Sequence, residues 1–134
     1  MSQENVEVVR VHLEAFRSQQ DASRTVSFFD PHVVLDVSRT GGDADALCGR
    51  EAIREFMRRW IGTFQEYRYE VKRLNDLGAG TVLAAARETG RGKGSGVPVD
   101  RSFAALYTVI DGKIARVTVF RTEQEALQAV GLLE

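Results

Sequence analysis

The chain has 134 residues, 43% of them hydrophobic and 28% charged, with a formal net charge of −1; it is long enough for one domain around a single sizeable core and lacks the basic footprint of a general nucleic-acid binder. No stretch approaches the ~18 apolar residues of a membrane span. The lone Cys48 excludes an internal disulfide framework, and MSQENVEVVRVHLEAF lacks the basic-then-apolar order of a secretory signal, so a reducing, cytoplasmic setting is expected.

Residues 3–18 read as a helix that Ser2 can cap, with Val6, Val9, Leu13 and Phe16 forming an apolar stripe and His12 at its border. After a turn over residues 19–22, a short second helix carrying Val26, Phe28 and Phe29 should stop at Asp30-Pro31. Residues 33–37 are strand-like and carry one acid, Asp36, among Val and Leu. A polar loop over residues 41–48 then delivers a third helix. Its Ile53, Phe56, Met57, Trp60 and Phe64 fall on one stripe, with Glu51, Arg54, Glu55, Arg58 and Arg59 opposite.

Residues 66–77 alternate weakly through Tyr67, Tyr69 and Val71, as a strand exposed on one side does. Leu77-Gly-Ala-Gly80 is a hairpin turn, and residues 81–89 return as a strand of mostly small side chains. Four glycines within residues 90–96 predict a mobile or sharply bent connection that could serve as a lid. Residues 99–110 form a strand, Asp111-Gly112 is a strong two-residue hairpin signal, and residues 113–121 come back. Thr122 and Glu125 make a capping box for a last helix over residues 123–130, ended by Gly131. This order predicts an α+β domain, a curved antiparallel sheet with helices packed on it.

Asp36 is the sharpest chemical candidate. Its apolar neighbours suggest a buried carboxyl with a raised pKa, serviceable as a general base; the plainer alternative is an acid at a strand end that pairs with Arg39 or caps a turn. His12 could donate a hydrogen bond or act as an acid, or could simply flank the helix stripe. Phe56 and Trp60 face inward and can line a pocket or fill a core. Phe103, Ala105, Tyr107 and Val109 share one side of their strand, while Ser102, Ala104, Leu106 and Thr108 share the other, a face suited to dimer contact. Of Arg87 and Glu88, adjacent on a strand, only one can enter a pocket. Val117 and Val119 share a side, with Arg121 emerging beside them. The expected ligand-binding set is therefore Phe56, Trp60, Phe103, Tyr107, Arg87, Val119 and Arg121, with Asp36 and His12 catalytic. The glycine stretch fits neither phosphate-binding pattern, since Gly94 follows Gly92-Lys93. No metal-ligand spacing and no cofactor motif is present.

VVRVHLEAF, FFDPHVVLDV, CGREAIREF and DGKIARVTVF followed by EALQAVGL occur in an order and spacing that resembles the SnoaL-like branch of the nuclear transport factor 2-like superfamily. The resemblance implies a cone-shaped fold of a curved antiparallel sheet and three N-terminal helices around one pocket, in most members as a homodimer. Set against ketosteroid isomerase, it puts the general base on Asp36, a pocket phenylalanine on Phe56 and an oxyanion donor on His12. The second oxyanion donor would fall on Ala105, which can donate nothing. The Asp-Arg-Asp order of the epoxide hydrolases is not reproduced by Asp36, Arg87 and Glu88. The expected function is a pocket for an apolar small molecule, with Asp36 removing a proton beside a carbonyl if the protein is an enzyme. The alternatives are a non-catalytic binding module and a dimeric accessory domain with no ligand.

Overall fold

A computed structural model describes residues 2–18, 22–40 and 46–131. Helices α1 (Ser2–Ser18) and α2 (Ala22–Ser27) lead into strand β1 (Phe29–Asp36), a 3-10 turn (Ser38–Thr40) and the short strand β2 (Ala46–Cys48). Helix α3 (Arg50–Gly62) is followed by four long strands, β3 (Phe64–Gly78), β4 (Thr81–Gly92), β5 (Pro98–Ile110) and β6 (Lys113–Phe120), and by helix α4 (Glu123–Ala129). The six strands form one curved, unclosed sheet in the order β2-β1-β6-β5-β4-β3. All pairings are antiparallel except that of β1 with β6, where Leu35 lies opposite Val117 in a parallel ladder. This is the expected α+β architecture, with one parallel join added. Among the described residues no helix is long and apolar enough to cross a membrane.

The Asp111-Gly112 hairpin forms as its sequence demands, with φ of 50° and 76° at the two turn residues. The Thr122 hydroxyl accepts the Glu125 amide at 3.1 Å and starts α4. Phe29 departs from expectation. It opens β1 rather than ending α2, because its ring is needed in the core, where it is 1% exposed. The Ser2 side chain expected to cap α1, the turn over residues 19–21 and the loop over residues 41–45 lie outside what is described.

The glycine stretch forms a hairpin. β4 runs on to Gly92, whose amide donates to the Val97 carbonyl at 2.9 Å, and the Lys93 amide donates to the Thr63 carbonyl at 3.0 Å. Those bonds close the turn, which is the sharply bent one of the two expected connections.

Two layers of apolar side chains flank the sheet. Val9, Leu13, Phe29, Val33, Ile53, Val82 and Ile114 belong to the main core on the face that α1 and α3 cover. On the other face Leu83, Ala104, Leu106 and Phe120 pack with Ala126 of α4. Ala104 is fully buried there and Leu106 is 8% exposed. The face expected to meet a second copy is thus covered at its centre by the chain's own last helix, which gives those apolar residues their burial.

Candidate functional site

Between the sheet and helices α1 and α3 lies a cavity of about 290 Å³. Strand alternation decides which side chains reach it. On β5, Arg101, Phe103, Ala105 and Tyr107 share one parity and all four line it, as do Val117 and Val119 from β6. Phe56, Met57 and Trp60 descend from α3, and His12, Leu13 and Phe16 from α1. The rings meet edge to face, Phe16 with Tyr69 at 5.0 Å and Tyr69 with Phe103 at 5.8 Å between centroids, which gives rigid apolar walls.

His12 is 2% exposed, and its Nδ1 lies 3.0 Å from the Thr25 carbonyl oxygen. A carbonyl can only accept, so Nδ1 carries the proton and Nε2 keeps its lone pair. Burial pushes the His12 pKa down to about 4, with the Thr25 bond opposing the shift only in part. The imidazole is therefore neutral near pH 7. It is a hydrogen-bond acceptor at Nε2, where the sequence suggested a donor or an acid.

Tyr107 stands beside it, ring centroids 5.9 Å apart. Burial raises the hydroxyls of Tyr107 and Tyr69 above their ordinary values, so both remain protonated donors. Every fully enclosed polar side-chain atom among the described residues has a partner. The two hydroxyls have none among those residues, so neither is fully enclosed, and both residues line the cavity.

The most elaborate polar group on the wall is Glu88, 3% exposed. Its Oε2 accepts the Tyr67 hydroxyl at 2.7 Å and the Trp60 indole N–H at 3.2 Å, and its Oε1 accepts Arg101 Nε at 2.7 Å. Burial and the neighbouring Glu88 push the Tyr67 hydroxyl well up, which keeps it a donor. The Arg101 guanidinium carbon sits 5.4 Å from the Trp60 ring centroid and 5.7 Å from that of Phe103. A bulge in β3 makes this cluster possible. Glu66 adopts a positive φ of 57° and the register slips between Gln65 and Arg68, so Phe64 and Tyr67 turn to the same side. Their rings lie 5.5 Å apart.

The SnoaL-like domain family matches residues 9–117, most of the chain and every cavity-lining residue except Val119. The chain belongs to the SnoaL-like family. Its fold is shared by a candidate SnoaL-like polyketide cyclase from a Jannaschia species, with a TM-score of 0.77 at 22% identity over 100% of this chain and 95% of the other. A candidate polyketide cyclase from Xanthomonas campestris gives 0.73 at 23% identity, covering 97% and 98%. TerC, crystallised with polyporic acid, gives 0.74 at 18%, covering 94% and 96%. No curated protein matches. At these identities the likeness is one of fold.

Within this SnoaL-like fold, His12, Phe56, Trp60, Phe103, Tyr107 and Val119 line the cavity, while three of the expected site residues do not. Asp36 is one of them. Leu35 and Val37 on either side of it face the cavity, so Asp36 points to the other face of β1. There its Oδ1 accepts the Ser38 hydroxyl at 2.6 Å and the Ser38 amide at 3.0 Å, and Oδ2 meets Arg116 at 3.3 Å. The Ser38 bonds, with Arg116 and Arg39 adding to them, hold its carboxyl below the ordinary value rather than above it. It is the turn-capping acid of the plainer alternative. Arg87 also faces outward, forked on Asp100 at 2.7 and 2.8 Å, because Glu88 takes the inward position. Arg121 is exposed in the bend after β6. Tyr67, Tyr69 and Arg101 were missed, although Arg101 could have been found by extending the Phe103–Tyr107 parity two residues back.

Proposed function

We propose that this SnoaL-like chain binds an apolar small molecule of about two fused rings and moves a proton beside its carbonyl group. His12 Nε2 accepts the proton, and the Tyr107 hydroxyl steadies the enolate. The observation that carries this reading is the adjacency of a neutral acceptor and a protonated donor inside an apolar cavity. A dry cavity of roughly 150 Å³ accommodates benzene, so about twice that volume suits a bicyclic ligand. A base as weak as His12 needs a C–H that is acidified on both sides, by two carbonyls or by a carbonyl and an aryl ring. The names of the structural neighbours, polyketide cyclases and a protein crystallised with polyporic acid, are consistent with ligands of that kind.

The same weak basicity favours a second reading, in which the pocket binds its ligand without turning it over. Proton exchange separates the two. In D₂O, the protein should accelerate loss of the C1 protons of 2-tetralone, followed by NMR, and His12→Asn should abolish the acceleration while 2-tetralone still binds. Binding with no acceleration by the wild type would leave the binding module; no binding at all would reject the pocket assignment.

A further inference from the structure

On the reading of this cavity as a small-molecule site, we propose that its ligand is an organic acid, an aromatic carboxylate whose anionic group docks on the free edge of Arg101. Arg101 lines the cavity and spends only Nε on Glu88. Its two terminal nitrogens, with four N–H donors, have no partner among the described residues, and the side chain is 42% exposed at the wall. That edge is the fork that donates two parallel hydrogen bonds to a carboxylate.

The fork is also held still. Glu88 fixes one side of the guanidinium, and the faces of Trp60 and Phe103 flank it. A cation already immobilised loses little freedom when a ligand arrives. Glu88 does not exhaust the cation either, because Tyr67 and Trp60 donate to its other oxygen and share its negative charge. The acceptor at His12 lies beside Tyr107, six residues along β5 from Arg101, so an acid would enter with its carboxylate toward Arg101 and its reacting end toward α1. A lone pair at His12 would repel a carboxylate bound the other way round.

Two probes of the same size test the proposal by calorimetry, 2-naphthoate and its neutral counterpart 2-acetylnaphthalene. The wild type should bind the acid about tenfold more tightly or better, and the preference should shrink as salt is added. Arg101→Gln should remove the preference, read as the ratio of the two probes' affinities for that same variant. That substitution leaves Glu88 buried without its cation, so the uncharged pair Glu88→Gln/Arg101→Gln is the control for folding and should also show no preference. Glu88→Gln alone should bind 2-naphthoate more tightly than the wild type, since the cation is no longer shared. Equal affinity of the wild type for both probes, or a preference that survives the double substitution, would overturn the proposal while the pocket reading stands. Failure of the wild type to bind either probe would overturn both.

Discussion

Burying His12 against Thr25 sets up an acid sensitivity whose sign follows from the direction of its shift. In the unfolded chain a histidine titrates near 6.5, whereas in the fold His12 titrates at about 4. Between those values the unfolded state binds the extra proton, so stability is full above pH ~6.5 and falls as pH drops toward 4, by on the order of 3 kcal/mol. Urea unfolding at pH 7.5 and pH 5 should show most of that loss, and His12→Asn should flatten it. The depressed carboxyls, Asp36 among them, act in a different window, since they lose their contribution only as pH falls below the ordinary carboxylate value. Asp36 itself should prove structural. Asp36→Ala should cost about 1 kcal/mol through the lost Ser38 bonds, with probe binding in the cavity unchanged; a large loss of binding would return Asp36 to the site. Its misreading has a physical cause. The apolar neighbours Leu35 and Val37 look like evidence of burial, yet on a strand they occupy the opposite face and say nothing about what surrounds residue 36.

At the level of elements, the β3 bulge is the local device on which the Glu88 cluster depends. Gly90 sits across from it, and a Cβ there would come within 3.2 Å of the Gln65 carbonyl oxygen and 3.4 Å of both Phe64 Cβ and Tyr67 Cα. Gly90→Ala should therefore destabilise by roughly 1–3 kcal/mol and weaken binding of 2-naphthoate by displacing Tyr67 from Glu88; thermal melts and calorimetry would check both. Hairpins and caps of the ordinary kind were legible in the sequence, because Asp111-Gly112 and Thr122 with Glu125 each carry their own chemistry. The bulge was not, since Glu66 adopts a left-handed φ without a glycine to announce it. Without the bulge, the inward members of β3 and β4 could not be assigned, and so the choice between Arg87 and Glu88 stayed open. The three-residue β2 and the parallel join of β1 to β6 were equally hidden, since both are set by partners distant in the chain.

For the whole molecule, α4 decides what the back of the sheet presents. Removing it by truncation after Arg121 should expose Leu83, Leu106 and Phe120 together, and a contiguous apolar patch of that kind drives association. Sedimentation should find the truncated chain self-associating more strongly than the intact one; unchanged behaviour would mean that α4 is not the cover it looks to be. The parallel β1–β6 ladder has a consequence in time. Leu35 and Val117 are neighbours in the finished cavity wall, yet one leaves the ribosome long before the other. At ~5–20 residues per second of synthesis, β1 waits on the order of ten seconds for the strand that completes it. Through that interval Val33 and Leu35 have no sheet to join on that side, and contacts of such long sequence separation also form slowly. The cavity is thus a late part of this protein to come into being, and the nascent chain encloses no such space until β6 has been made.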